Sequence, residues 1–313
     1  MIGNAVIFSS IDFPEHTIVQ ESLDKLAPVT KSFVITSNRF EDKWSQKNAI
    51  PIIAKFNSTS AWRRNLRKVL LRNIWICRIF RILTNNILRG HPHFLMPPHT
   101  ARHFEYFKIL KEMDDNAWAI LVDSRDLVFQ VTPEEIIENL KHLPGVHLFL
   151  EDKYFFKDGS LQKNHLSPAN WNWALQVMNL NSKDVSYLID TDIVNAGCIL
   201  GRVEDLREFF TETCRLLQNS NFSSFALLDQ AAVNLVAYSE DFTFRRYIHK
   251  NGEIVLNMCG VVDGELSFDQ AMLQIENTTV PIVHQFDRFG LWTSERGFEF
   301  SKREYKVQKL SSN

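Results

Sequence analysis

The sequence predicts an α/β fold, a mostly parallel central sheet flanked by helices and built as a single domain with insertions. Three features predict it. Short β-rich runs alternate with helical stretches over the first third, in the rhythm of βαβ units. The run 117–122 (AWAILV) is apolar throughout, as a strand covered on both faces must be, and it stops at carboxylates. No internal repeat, low-complexity stretch or strong linker divides the 313 residues, of which 45% are hydrophobic and 23% charged, so one large core is within reach.

The elements follow in order. Residues 5–8 (AVIF) form a first strand, 15–26 a helix candidate and 33–36 (FVIT) a second strand. No basic residue precedes the first apolar run, which Ser9, Ser10 and Asp12 soon interrupt, so it reads as a strand and not as a signal peptide. Residues 61–89 make a basic amphipathic helix. Trp62, Leu66, Val69, Leu70, Ile74, Cys77 and Phe80 recur near helical spacing, and Arg63, Arg64, Arg67, Lys68 and Arg72 flank them. Gly90 and Pro92 end it, and Pro97 and Pro98 precede a helix at 100–113. The apolar strand 117–122 then runs into Asp123, Ser124, Arg125 and Asp126, and carboxylates at the C-terminal end of a central parallel strand lie where open α/β sheets bind ligands. Thr132, Pro133 and Glu135 read as an N-cap, a first-turn proline and the acidic half of a capping box. Residues 146–150 form another strand, followed by Glu151 and Asp152. The stretch 153–192 has no clear period and is expected to be an insertion over the site. Residues 195–201 (NAGCILG) form a strand, 204–217 and 225–237 helices, and 280–284 a late strand that ends in His284.

Charge and cysteines narrow the class. The net charge of −2 conceals a block, residues 43–104, with twelve Lys or Arg and no Asp or Glu, which leaves −14 on the rest of the chain. Such a block points to an anionic partner. A pI near 6.6 and the lack of a recognition motif speak against nucleic acid. The helix 61–89 suits an anionic membrane surface, a phosphate site or a solvated face. Cys77, Cys198, Cys214 and Cys259 are scattered, without metal-ligand spacing, which favours a reducing compartment. No apolar stretch approaches the ~20 residues that cross a bilayer. The expectation is a cytoplasmic chain, for which contact with the inner face of a membrane through 61–89 is one of these open readings.

Four motifs in fixed order carry a resemblance. DSRD (123–126) after an apolar strand, NAGCILG (195–201), LLDQAAVN (227–234) and VHQFDR (283–288) together resemble GT-A glycosyltransferases, most closely the retaining family 8 type that includes glycogenin and bacterial lipopolysaccharide galactosyltransferases. Arg102, in TARHF, is similar to the arginine on the helix before that family's Asp-x-Asp. The likeness spans about 102–288. It implies a Rossmann-like GT-A sheet, a nucleoside-diphosphate-sugar donor and Mn2+ or Mg2+.

Carried over by position, Asp123 touches the metal or the donor ribose, while Asp126 and His284 complete the metal's ligands. Asn195 and Gly197 line the donor sugar, and Asp229 and Gln230 contact its hydroxyls beside the anomeric carbon. Arg288 stands where the family has a lysine on the diphosphate. Ser9, Arg102 and Arg125 join the donor-binding set. One departure stands out: the second carboxylate comes one residue late, with Arg125 in its place. Either Asp126 reaches the ion after a local backbone adjustment, or Arg125 supplies part of the ion's charge.

The chemistry expected is sugar transfer to a glycan or lipid-linked acceptor in bacterial surface-polysaccharide assembly. A breaking glycosidic bond loads charge onto the diphosphate, and carboxylate-held metal with basic side chains neutralises it. Retention needs no strong general base, whereas inversion would call on Glu151, Asp152 or Asp229. Two other classes compete: a binding protein that uses 61–89 on anionic lipid or nucleic acid, and a metal-dependent phosphate hydrolase built on Asp123 and Asp126.

Overall fold

The computed structural model describes residues 2–9, 30–36, 49–53, 98–124, 126–151, 154–157, 160–163, 191–219, 228–258, 266–269, 272–285, 291–294 and 297–300, with a few positions between 170 and 189. The helix candidates 15–26 and 61–89, together with Arg125, Asp152, Trp171, Trp173 and Arg288, lie outside the described residues.

In chain order the elements are β1 (Ala5–Ser9), β2 (Lys31–Thr36), β3 (Ile50–Ile53), α1 (Pro98–Lys111), β4 (Trp118–Asp123), β5 (Leu127–Phe129), α2 (Pro133–Leu140), β6 (Val146–Leu150), the hairpin β7 (Tyr154–Lys157) and β8 (Ser160–Lys163), β9 (Val194–Arg202), α3 (Val203–Asn219), α4 (Leu228–Tyr238), β10 (Arg246–His249), β11 (Val255–Asn257), β12 (Leu266–Asp269), β13 (Met272–Ile275), β14 (Thr278–Thr279), β15 (Ile282–His284), β16 (Leu291–Ser294) and β17 (Gly297–Phe300). Their bounds shift from the sequence expectation by a residue or two at most ends, as fraying termini do. The hairpin of β7 and β8 falls inside 153–192, where no period was legible.

Seven strands form the central sheet in the order β10-β6-β9-β4-β1-β2-β3. All neighbours run parallel except β9, which is antiparallel to both β4 and β6. The mixed α/β architecture with a mostly parallel sheet is therefore the one expected.

Strand periodicity explains its burial. Ala5 and Ile7 of β1, Phe33 and Ile35 of β2, and Ala119 and Leu121 of β4 share a cluster with α1, α3 and α4. Their alternates Val6, Phe8, Val34, Ile120 and Val122 pack on the other face with Ile136, Ile137 and Leu140 of α2. Successive side chains point to opposite faces, so a strand covered by helices on both sides has to be apolar at every position.

Local signals fix the rest. Thr132 caps α2 by accepting from Glu135 N–H, Glu135 returns a bond to Thr132 N–H, and Pro133 occupies the first turn. A second, three-stranded sheet, β11-β15-β5, sits beside the main one; of its strands only β15, the late strand ending in His284, had a sequence signature. No helix among the described residues is long and apolar enough to cross a membrane.

The chain moves outward through β1, β2 and β3, then returns to the far side of β1 as β4. Between β1 and β4 lies the topological switch, and at its C-terminal end Ser9 stands opposite Asp123. Open α/β sheets hold ligands in that crevice.

Candidate metal and donor site

The site begins where β4 ends. Ser124 turns the chain by donating its N–H, at 3.3 Å, and its hydroxyl, at 2.7 Å, to the Ser9 carbonyl. Asp126 follows the turn and leads into β5, which pairs antiparallel with β15 so that Leu127 faces His284. This register, together with a 2.6 Å bond from Gln285 N–H to the Asp126 carbonyl, puts the late carboxylate beside the histidine. Ligand atoms of Asp123, Asp126 and His284 lie within 4.8 Å of one another, and His284 Nε2 is 3.5 Å from Asp126 Oδ1. Asp126 and His284 are buried, and Asp123 is partly exposed at the mouth. The turn at Ser124 brings the shifted carboxylate beside His284 and Asp123, while Arg125 lies outside the described residues.

Two carboxylates and one imidazole suit a hard or borderline divalent cation such as Mg2+ or Mn2+. Three protein ligands leave coordination positions for a second anionic molecule, and buried Asp126 gains a counter-charge when an ion binds.

Arg102, on α1 and only 3% exposed, joins this cluster to a second one. Its guanidinium pairs with Asp123 through Nη1, with Asp229 Oδ2 at 3.2 Å through Nη2, and donates to the Ala196 carbonyl at 3.0 Å. A planar fork with donors spread over two terminal nitrogens reaches all three acceptors in a way that the compact lysine ammonium, whose donors share one atom, does not. Asp229 opens α4, where the helix N-terminus favours a negative side chain. Burial alone would raise its pKa. The His103 ring, whose Nε2 lies 3.9 Å from Asp229 Oδ2, and the charges of His99 and Arg102 overcome that and hold the Asp229 carboxyl well below the usual range. Asp229 is thus a carboxylate at any physiological pH.

Gln230, next on α4, donates to Glu151 Oε2 at 2.9 Å and accepts from Ala196 N–H at 3.3 Å. Asn195 donates to the same Glu151 oxygen at 3.0 Å, and Gln285 to Glu151 Oε1 at 3.3 Å. Glu151, at the end of β6, is therefore a hub for three side-chain amides. Asn234, one turn after Gln230, clamps β9 by bonding both Val194 N–H and Val194 C=O at 2.8 Å.

Gly197 has a steric reason. A Cβ there would lie 2.5 Å from His284 Cε1 and 2.7 Å from Nε2, so the imidazole rests directly on the bare backbone of β9. Gln285 takes φ of 63°, the left-handed region that few non-glycine residues occupy, at the point where β15 leaves the site.

Of the sequence candidates, Asp123, Asp126 and His284 converge, and Arg102, Asp229, Gln230, Asn195, Gly197 and Ser9 border them. Arg125 and Arg288 lie outside the described residues. Sequence reasoning missed Gln285 and Asn257. The first had only its place beside His284 as a signal, and the second had none.

No protein-family model matches the sequence, and no curated protein matches it either. Among solved structures, the chain is similar to mouse xyloside xylosyltransferase 1 in its apo form, with 9% sequence identity, a TM-score of 0.40, and 77% of this chain and 83% of that one covered. A likeness that distant assigns no family.

Proposed function

We propose that the chain is a GT-A glycosyltransferase that moves a sugar from a nucleoside-diphosphate donor to a glycan or lipid-linked acceptor, with retention of anomeric configuration, in surface-polysaccharide assembly. One observation carries the reading: the carboxylate at 126, displaced by a residue from the Asp-x-Asp pattern, still meets His284 beside Asp123 at the switch of a parallel sheet. Asp123, Asp126 and His284 would hold Mn2+ or Mg2+, whose chemistry is to neutralise the diphosphate as it departs.

This chain's own groups do the rest. Arg102 fixes the Asp123 carboxylate and keeps Asp229 ionised next to Gln230. An ionised Asp229 and the polar face of Gln230 favour the positive charge that develops on a sugar ring as its glycosidic bond breaks. Glu151 holds Asn195 and Gln230 in register, so the sugar meets fixed polar groups.

The test is a panel of nucleotide sugars with Mn2+, scored for binding and donor hydrolysis in the wild type and in Asp126→Ala. The variant should lose more than about a hundredfold in donor affinity or turnover, since even residues one step removed from a metal cost 10–100-fold. Equal affinity in the two proteins would sink the assignment. NMR of the product anomer separates retention from inversion.

A further inference from the structure

We propose that Asn257 is a positioning residue that sets which nitrogen of His284 faces the site. The inference rests on the metal reading above only for its consequence, not for its geometry.

Asn257 closes β11 and is fully buried, next to β15 in the second sheet. Its amide orientation is fixed independently of the histidine. Nδ2 lies 2.9 Å from the Leu150 carbonyl, which only accepts, so Nδ2 is the donor end. The other end, Oδ1, is then an acceptor, 2.8 Å from His284 Nδ1. An acceptor there requires a proton on Nδ1. In the neutral ring the lone pair then falls on Nε2, the atom 3.5 Å from Asp126 Oδ1 and in contact with Gly197.

The backbone of Asn257 is held as well. Asn251 Oδ1 accepts from its N–H at 2.7 Å, and Asn251 Nδ2 donates to its carbonyl at 3.1 Å. With the backbone held in place, flipping the amide to offer His284 a donor would lose the Leu150 bond and set Oδ1 against that carbonyl. Neutral imidazole on its own populates both tautomers, and only one of them presents a ligand atom to the carboxylates. Fixing it in advance removes a reorganisation step from ion binding.

The experiment has two readouts. The first is the protonation pattern of His284 in metal-free, 15N-labelled wild type, read from long-range 1H–15N correlations at neutral pH. A proton on Nδ1 is expected. A proton on Nε2 with Nδ1 bare overturns the inference whether or not an ion ever binds, whereas protons on both nitrogens keep the Nδ1–H that Asn257 requires. The second is Mn2+ affinity, followed by the free-ion EPR signal in Asn257→Leu and Asn257→Asp. Leucine removes both of the amide's bonds, whereas aspartate keeps an acceptor for Nδ1–H but sets an oxygen against the Leu150 carbonyl, which it bonds only when protonated and otherwise meets with a buried negative charge. Leucine should weaken Mn2+ binding by about 10–100-fold, and aspartate should retain most of it. Equal losses in the two variants would mean that the tie to Leu150 is what matters, and would overturn the positioning role. If the wild type binds no Mn2+ although Nδ1 carries the proton, the proposed function fails and the tautomer assignment stands, so the two failures can be told apart.

Discussion

Two buried histidines, on β15 and on β6, show what separates a ligand from a structural residue in this molecule. His284 spends one nitrogen on Asn257 and turns the other toward two carboxylates. His147 spends both: Nε2–H donates to the Leu143 carbonyl at 2.9 Å, and Nδ1 accepts from His249 Nε2–H at 2.8 Å. Around His147 the neighbours are rings, with Tyr247 and His249 stacked on it and Trp118 tilted against it. Burial, with smaller contributions from His249 and His142, outweighs its bond to Leu143 and pushes its pKa down to about 4. The two imidazoles are equally hidden. A spare nitrogen aimed at anionic groups distinguishes them, and burial does not.

The same contrast divides the regions around them, since the switch end of the sheet holds opposing charges in buried contact while the β6–β10 edge carries its charges, Arg246 and the His249–Glu253 pair, at partly exposed positions. Removing a charge should therefore cost most at the first. Arg102→Leu would leave Asp123 and buried Asp229 facing each other without a cation, and breaking a buried pair costs about 3–5 kcal/mol. The loss should fall toward the lower end, because Asp123 is 31% exposed and water screens its share. Chemical denaturation of the two proteins measures it. A change below about 1 kcal/mol would place the pair among surface bridges and would end the claim that this region depends on compensated charge.

Two glycines of β9 sharpen the comparison within one strand. Gly197→Ala drives a Cβ into the buried His284 ring, which can give way only by leaving Asn257, so metal affinity should fall toward the tenfold range with a smaller stability cost than at Gly201. Gly201→Ala meets the Gly145 carbonyl at 2.3 Å, which is backbone and cannot yield. That change should cost about 1–3 kcal/mol of stability and spare the metal site. Mn2+ titration and thermal unfolding, run on both variants, test the pair. If the two effects came out reversed, the division of β9 into a site half and a fold half would be wrong.

Much of this was legible in the sequence, for identifiable reasons. The strand at 117–122 announced itself because a sheet covered on both faces leaves no polar alternation, and the capping residues Thr132 and Glu135 act within one turn. The ordered motifs gave the metal candidates. What stayed hidden was nonlocal. That Asp126 reaches His284 depends on the register of β5 on β15, set by partners more than 150 residues apart. Asn257 acts through a side-chain amide whose orientation depends on the Leu150 carbonyl, and nothing near position 257 encodes that. Gln285 looked like an ordinary residue after a strand, and its left-handed backbone follows from the bond its N–H makes to Asp126.

The smallest effect belongs to the β6–β10 edge, and it is a pH effect. The folded pKa of His147, about 4, lies below its ordinary 6.5. Between those values the unfolded chain takes up a proton that the folded chain refuses, so stability should fall as pH drops from 6.5 toward 4 and should be fully present above 6.5. His147→Phe keeps a ring in the stack and removes the titration. At neutral pH it should cost about 1 kcal/mol, for the partners lost by the Leu143 carbonyl and His249. Between pH 7 and pH 5 the variant should lose less stability than the wild type does, although His249, also held down by burial, keeps part of the slope. Urea unfolding of both proteins at the two pH values is enough to decide it. Parallel losses would show that His147 is protonated as readily inside the fold as outside it, and the contrast with His284 would then have to rest on hydrogen-bond geometry alone.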